Sequence, residues 1–481
     1  MNRGNIWIHI GIAVVLVTMA AIVGQIDRWR AALRVAPANC PSLRSAPVDN
    51  VEIKAPKRQV PEVIVKFRPG VTLADIKRIA GLNHDQVNDE IESVKGLTVI
   101  DDLDNADSTT VAAQYGKMKD VVDYAEINGQ VGLDDPASSN SVRDLVDQKY
   151  LKNDSDFELP SDPQFDQQWA HHNTGADGGK AGADIHSLEA WNVTHGSEDI
   201  VVAVLDTGVD YRHIDLQSNM WLRPDNLPQY VDDELGSFND AQGYNGTDQL
   251  DDPMDDNGHG THCAGIIGAE GDNNEGIAGV NWHVQIMPLK FLGRGGYGST
   301  ADAIKAINYA IDRKKHGVNI RVINASWGST QNSKGLEDTI RAAGEVGILF
   351  VAAAGNDGSD NDKRAHYPSN YDLPNVISVA ALDRNDSLAS FSNFGVKTVH
   401  IAAPGKDILS TWLGDQYREA SGTSMAAPQV SGVAALILSK EPDLTVEKLK
   451  ARILKSVDKI DSLNGKIVSG GRIDAAKAVG E

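Results

Sequence analysis

The stretch GTSMAAPQVSGVAALIL, Gly422 to Leu438, sets a single serine, Ser424, among small residues at the start of an apolar helix. A helix start points unpaired amides outward and favours negative charge, so a hydroxyl there sits where an oxyanion is stabilised, which suggests acyl transfer. A serine cannot do this unaided. Upstream, VVAVLDTGVD, Val201 to Asp210, reads as a buried β-branched run that ends in a carboxylate, Asp206. Between the two, DDNGHGTHCAG holds His259 flanked by glycines and leads into another small-residue helix. Nucleophile, base and orienting acid are thus all present, each at an element terminus, where α/β folds place reactive side chains.

In chain order Asp206, His259 and Ser424, the three stretches resemble the subtilisin-like serine peptidases, the subtilases (peptidase family S8). The resemblance implies a three-layer α/β fold with a mostly parallel central sheet and a serine endopeptidase acting through an acyl-enzyme. It assigns Ser424 as nucleophile, His259 as general base and then acid, and Asp206 as the ionised partner of the second imidazole nitrogen. Asn356, closing the strand run ILFVAAAGN, matches the family's amide donor to the oxyanion.

The 481 residues carry a formal charge of −22, which argues against nucleic acid as a partner and for a soluble surface that tolerates cations. Two cysteines, Cys40 and Cys263, build no disulfide framework, and Cys263 reads as a small buried thiol. Ile6 to Gly24 has no Asp, Glu, Lys or Arg and stands at the margin of a membrane span. It reads as a signal peptide ending near Ala20 or Ala21, or as an uncleaved anchor followed by Arg28, Arg30 and Arg34. Both readings imply export, to the exterior or periplasm in one case and outward-facing on a membrane in the other.

The chain therefore divides into a signal or anchor (1–30), a linker (31–58), a small unit (59–134), a polar tract (135–160) and the large domain (161–481). In the small unit PEVIVKF reads as a strand, TLADIKRIAGL as a helix, GLTVIDDL as a strand, STTVAAQYGKMKDV as a helix and DYAEINGQVGL as a closing strand. Such an α+β, ferredoxin-like unit before a subtilase core resembles the family's propeptide, an intramolecular inhibitor and chaperone, and the polar tract is expected to hold the processing region. In the large domain VVAVLD, VQIMPLKFL, NIRVINAS, GILFVAAAG and NVISVAAL alternate with helical stretches such as TADAIKAINYAIDRKK, the rhythm of a parallel sheet covered on both faces.

An extended polypeptide substrate is expected to add as a strand between GRGGYG, with Gly296, and NASWG, with Ser326, Trp327 and Gly328. Ala354 and Gly355 lie beside the oxyanion asparagine. Trp327 stands where relatives carry leucine and suggests an aromatic wall between subsites. His366, aligned through YPSN, falls at the floor of the primary pocket and suggests a smaller or more polar site.

The resemblance further implies structural Ca²⁺ held by Asp162, Asp215 and Asn273 with carbonyls near Glu275 and Ile277. The acidic insertion between Asn219 and Asp256 offers Asp232, Asp233 or Asp251 for another ion, or is a solvated loop. The leading expectation is an exported, calcium-stabilised, monomeric endopeptidase made as a zymogen. A silent subtilase scaffold would be expected to lose one of the four site residues, and none is lost. A narrowly specific maturation peptidase tethered at a membrane would differ only in subsites and anchoring.

Overall fold

The computed structural model describes residues 61–134 and 159–480, apart from 233, 235 and 248–251. The signal or anchor, the linker to Arg58, Cys40, most of the polar tract, Asp233 and Asp251 lie outside the described residues. No helix of the described residues is long and apolar enough to cross a membrane.

The small unit runs β1 (Glu62–Phe67), α1 (Leu73–Leu82), β2 (Asp85–Glu90), β3 (Leu97–Asp102), α2 (Ser108–Gly116) and β4 (Val122–Ile127), with sheet order β2-β3-β1-β4. Thr72 and Asp75 form a capping box that starts α1, and the Asp107 carboxylate accepts the Thr110 N–H to start α2. Both faces of the sheet are buried. Val63, Val65 and Ile100 pack with Ile76, Val111 and Tyr115 from the two helices, while Ile64, Leu97 and Val99 share an apolar cluster with the large domain.

Strand β2, DQVNDE, was not expected, because two of its inward positions are the acids Asp85 and Asp89. The Tyr115 hydroxyl donates to Asp85 at 2.7 Å, and Asp89 faces the large domain 3.9 Å from Lys305 Nζ. The expected closing strand is also divided. After β4 the chain leaves the sheet, and β5 (Gln130–Gly132) pairs with the large domain instead.

The large domain is built on a nine-stranded sheet. Its elements are α3 (Ser187–Trp191), β6 (Gly196–Asp206), a short hairpin β7 (Val231–Asp232) and β8 (Gly236–Ser237), β9 (Tyr244–Asn245), α4 (His259–Gly268), β10 (His283–Lys290), β11 (Tyr297–Ser299) and α5 (Thr300–Lys315). There follow β12 (Ile320–Ala325), α6 (Lys334–Glu345), β13 (Leu349–Ala353), β14 (Val376–Leu382), β15 (Ile401–Pro404), the hairpin β16 (Ile408–Trp412) and β17 (Gln416–Ala420), α7 (Thr423–Lys440), α8 (Val446–Lys455), β18 (Val457–Lys459), β19 (Gly471–Ile473) and α9 (Ala475–Val479).

Strand order is β18-β19-β15-β14-β13-β12-β6-β10-β9, parallel throughout except for β18 against β19. The central strands are buried on both faces, which is why they read as unbroken apolar runs. Helix α5 covers the expected sixteen residues, begun by a Ser299/Asp302 capping box and ended by Arg313, Lys314 and Lys315. Helix α7 is apolar around its circumference and lies inside the core, against β6 and β12 to β14.

The small unit rests on α5 and α6 and supplies both helix starts with acceptors. The Glu126 carboxylate accepts from Ser333 Oγ at 2.5 Å and from the N–H groups of Lys334 and Gly335 at 2.8 and 3.0 Å. Asn128 Oδ1 accepts from the Ala301 N–H at 2.9 Å, and the Gly129 carbonyl accepts from the Thr300 N–H at 2.8 Å. These amides have no partner within their own helices, so oxygens from outside complete them, a carboxylate at α6 and an amide and a backbone carbonyl at α5.

Candidate active site

Strand β6 delivers Asp206 as its last residue, fully buried at the carboxyl edge of the sheet. Its Oδ1 accepts from the Thr207 N–H at 2.8 Å and lies 2.8 Å from His259 Nδ1. His259 opens α4, and the turn before it is organised by Asp255. That carboxylate accepts from the N–H groups of Asn257, Gly258 and Thr261 and from the hydroxyls of Thr207 and Thr261. Burial disfavours a charged His259, but the Asp206 carboxylate beside it outweighs this and holds the imidazole well above its ordinary range.

Ser424 is the second residue of α7. Its hydroxyl donates to the Ser326 carbonyl at 3.1 Å, and Ser326 Oγ donates back to the Ser424 carbonyl at 2.8 Å. Pro428 explains the second bond. In an uninterrupted helix the Ser424 carbonyl would accept the N–H four residues on, but a proline has none. The freed carbonyl is taken by Ser326 Oγ and, at 3.5 Å, by Cys263 Sγ from α4. Cys263 is fully buried with its thiol pushed up by that burial, so it acts as a small packed donor and not as an exposed nucleophile.

Asn356 follows β13. Its Oδ1 accepts from the Thr423 N–H at 2.8 Å and from Thr423 Oγ1 at 3.0 Å, which fixes the amide and turns Nδ2 outward. Nδ2 donates, at 2.5 Å, to the backbone carbonyl of Asp134 at the end of the small unit. Gly355 N–H donates to Thr423 Oγ1, and the Ala354 carbonyl accepts from the amides of Asn361 and Asn393.

The stretch Gln130 to Asp134 lies between the two expected edges. Strand β5 pairs antiparallel with β11, Leu133 N–H donates to the Gly296 carbonyl at 2.9 Å, and Gly132 exchanges hydrogen bonds with Gly328 at 3.0 and 3.3 Å. Glycine is required at both contacts. Gly296 has a φ of +76° and a Cβ there would stand 2.9 Å from Leu133 Cδ1; at Gly328 a Cβ would stand 2.1 Å from His366 Cε1. Trp327 is fully buried, edge-on to Phe291 with centroids 4.7 Å apart, in the apolar cluster that includes Val131. His366 Nε2 lies 2.7 Å from the Asp134 carboxylate.

Asp162, Asp215 and Asn273 converge at one place. Asp215 accepts from Asn273 Nδ2 at 2.9 Å and from the Ile277 N–H at 3.0 Å, while Asn273 Oδ1 accepts from the Glu275 N–H at 2.7 Å. Burial raises Asp215 to about 7, with the Asp162 charge adding to the effect. Asp162 Oδ1 and Gln164 Oε1 are buried there without a hydrogen-bond partner. A crowd of oxygens with spare lone pairs fits a hard cation. In the insertion, Asp232 accepts from the Glu234 N–H at 2.9 Å, and Lys77 of the small unit pairs with Glu234 at 3.0 Å.

Several contributors went unread in the sequence. Asp255 stands in the quoted DDNGHGTHCAG run, but its five-bond role is visible only once the turn is folded. Gln164 follows Asp162 by two positions, and Thr423 precedes the serine. Asp134 carried no local signal, since its partners Asn356 and His366 are more than two hundred positions away.

The sequence profile of the subtilase family matches residues 197–470, more than half of the chain. The thermophilic serine proteinase of Bacillus sp. (strain AK1) is 39% identical over 316 residues, covering 66% of this chain and 70% of that protein. Thermitase of Thermoactinomyces vulgaris is 35% identical over 295 residues, covering 61% of this chain and 93% of thermitase. A solved protease structure from Pseudoalteromonas arctica PAMC 21717 superimposes with a TM-score of 0.55 at 29% identity, over 67% of this chain and 99% of that one. A parallel sheet with Asp206, His259 and Ser424 at its carboxyl edge, together with these matches, makes the chain a member of the subtilase family, a subtilisin-like serine endopeptidase.

Proposed function

We propose that Asp206, His259, Ser424 and Asn356 carry the peptidase chemistry, and that residues 59–134 hold the enzyme as a zymogen until they are cut free. The observation that carries this reading is the placement of the Asp134 carbonyl on Asn356 Nδ2, with the preceding residues paired as an added strand. His259 Nδ1 is engaged by Asp206, which leaves Nε2 to take the serine proton. Ser424 Oγ, which donates to the Ser326 carbonyl, must exchange that acceptor for the nitrogen before attack. Ser326 and Cys263 hold the helix turn still meanwhile. A fluorophosphonate probe that labels the wild-type chain and not Ser424→Ala supports the assignment, and equal labelling of both overturns it.

The base must be neutral to act. Because its partner holds His259 above the ordinary imidazole value of 6.5, kcat/KM is expected to fall with acidification around a midpoint above 6.5. A pH–rate profile whose acid limb lies below 6 would contradict this.

Release of the small unit is expected to depend on Glu126, the external acceptor for the α6 start. Glu126→Ala strands three donors, and such charge-assisted bonds are each worth about 1.5–3 kcal/mol. Even part of this shortens the inhibited interval of the self-processed chain by one to two orders of magnitude, read as earlier onset of peptidase activity. An unchanged lag would remove Glu126 from the inhibitory contact.

Calcium is proposed at Asp162, Gln164, Asp215 and Asn273, where it would neutralise crowded carboxylates and occupy the orphaned oxygens. A ligand present at a hundred times its dissociation constant stabilises by about 2.7 kcal/mol, roughly 4 °C in Tm for a domain of this size. Chelation is therefore expected to lower Tm by that amount, with recovery in Ca²⁺ and not in Mg²⁺. The apolar stretch Ile6 to Gly24 supports an exported enzyme, with polypeptides as substrates.

A further inference from the structure

We infer that His366 makes the primary specificity pocket an acid-binding site: the enzyme cleaves after aspartate, and its own processing bond joins Asp134 to Asp135. The inference rests on the serine-peptidase assignment above and adds the substrate class to it.

The register of the bound tail selects the residue. Gln130 to Gly132 pair with β11, Leu133 donates to Gly296, and the next carbonyl, that of Asp134, accepts from Asn356. A carbonyl held by an oxyanion donor belongs to the bond under attack, so the Asp134 side chain occupies the pocket for the residue before that bond. What meets it there is an imidazole. His366 Nε2 lies 2.7 Å from Asp134 Oδ2, with the histidine side chain only 4% exposed.

The other side of the ring is also fixed. Ser369 Oγ donates its hydrogen to the His366 carbonyl at 2.8 Å, so at 3.1 Å it presents a lone pair to Nδ1. Nδ1 is therefore held at Ser369, and Nε2 is the nitrogen that faces the Asp134 carboxylate, which can only accept. The ring lies hard against Gly328 and Gly355, where any Cβ would collide with it, so it has no room to swing aside for a large apolar side chain. A buried N–H facing the pocket rewards a carboxylate with a charge-assisted bond, pairs an amide oxygen more weakly and finds no acceptor on a hydrocarbon.

In the cleavage step Ser424 Oγ forms a bond to the Asp134 carbonyl carbon and passes its proton to His259. The bond to the Asp135 nitrogen breaks as His259 returns that proton to the amine, and water then releases the Asp134 carboxylate. No other reactant is needed.

The test uses enzyme expressed as the full-length chain and left to process itself, with a series of quenched peptides that keep Gln130 to Leu133 and the residues from Asp135 onward while setting position 134 to Asp, Glu, Asn, Leu or Phe. The expected kcat/KM for Asp exceeds those for Asn and Leu by at least about 10²-fold, and N-terminal sequencing finds the large fragment starting at Asp135. His366→Ala is expected to lose that preference, its kcat/KM for Asp falling to within a few-fold of those for Asn and Leu, with fluorophosphonate labelling at any rate showing that the variant is folded. If this variant does not fold, the wild-type series still decides. Preference for Leu or Phe in the wild type, or an unchanged Asp preference in labelled His366→Ala, overturns the pocket assignment and leaves the peptidase reading intact. Failure of the wild type both to label and to cut any peptide overturns the peptidase reading, and the inference with it.

Discussion

Ser424→Ala is expected to leave the full-length chain uncut and to lower peptide hydrolysis by about 10⁴- to 10⁶-fold, the range seen when a nucleophile is removed from a serine triad. The size follows from what the hydroxyl alone supplies. Two neighbouring side chains with nucleophilic atoms are engaged elsewhere: Cys263 is fully buried with its sulfur on the Ser424 carbonyl, and Ser326 Oγ donates to that same carbonyl. The variant should nevertheless fold. The serine hydroxyl makes one neutral hydrogen bond, to the Ser326 carbonyl, worth about 1 kcal/mol net. Asp206 and His259 remain paired without it. The expected readout is a single full-length band and an unaltered Tm beside a processed wild type. A Ser424→Ala chain that processes itself at the wild-type rate would move the chemistry to another residue.

Much of this molecule can be read from local sequence because local physics decides it. The runs at Val201–Leu205 and Leu349–Ala353 are apolar at every position since helices cover both faces of the sheet, and the small residues of α7 reflect its place inside the core. Asp206, His259 and Ser424 are legible for a related reason: each closes or opens a regular element, and the element fixes where the side chain points. Strand β2 was hidden because two of its buried positions are acids: Asp85 accepts from the Tyr115 hydroxyl, while Asp89 lies 3.9 Å from Lys305 with neither carboxylate oxygen hydrogen-bonded. The departure of β5 from its own sheet was hidden as well, since alternation in DYAEINGQVGL does not say which edge the strand will join. Alignment through YPSN suggests a pocket floor for His366, smaller or more polar than in relatives. What it faces is set by a contact spanning 232 positions, which no window along the chain contains.

Asn356→Ala is expected to reduce kcat by about 10²- to 10³-fold with a much smaller effect on KM, because its amide aims at charge that develops only during attack. The side chain is locked for this task. Both hydrogen bonds to its Oδ1 come from Thr423, so Nδ2 has one direction left, toward the carbonyl of the residue in the primary pocket. The second source of stabilisation, the Ser424 N–H in the first turn of α7, is retained in the variant, which is why the loss stops short of that for the nucleophile. Thr423→Val separates aiming from donation. It removes the hydroxyl that bonds Asn356 Oδ1 and accepts from the Gly355 N–H but leaves the backbone donor, so a loss of about tenfold in kcat is expected. If Asn356→Ala instead raised KM and left kcat unchanged, the amide would be a ground-state contact to the tail, and oxyanion stabilisation would fall to the helix start alone.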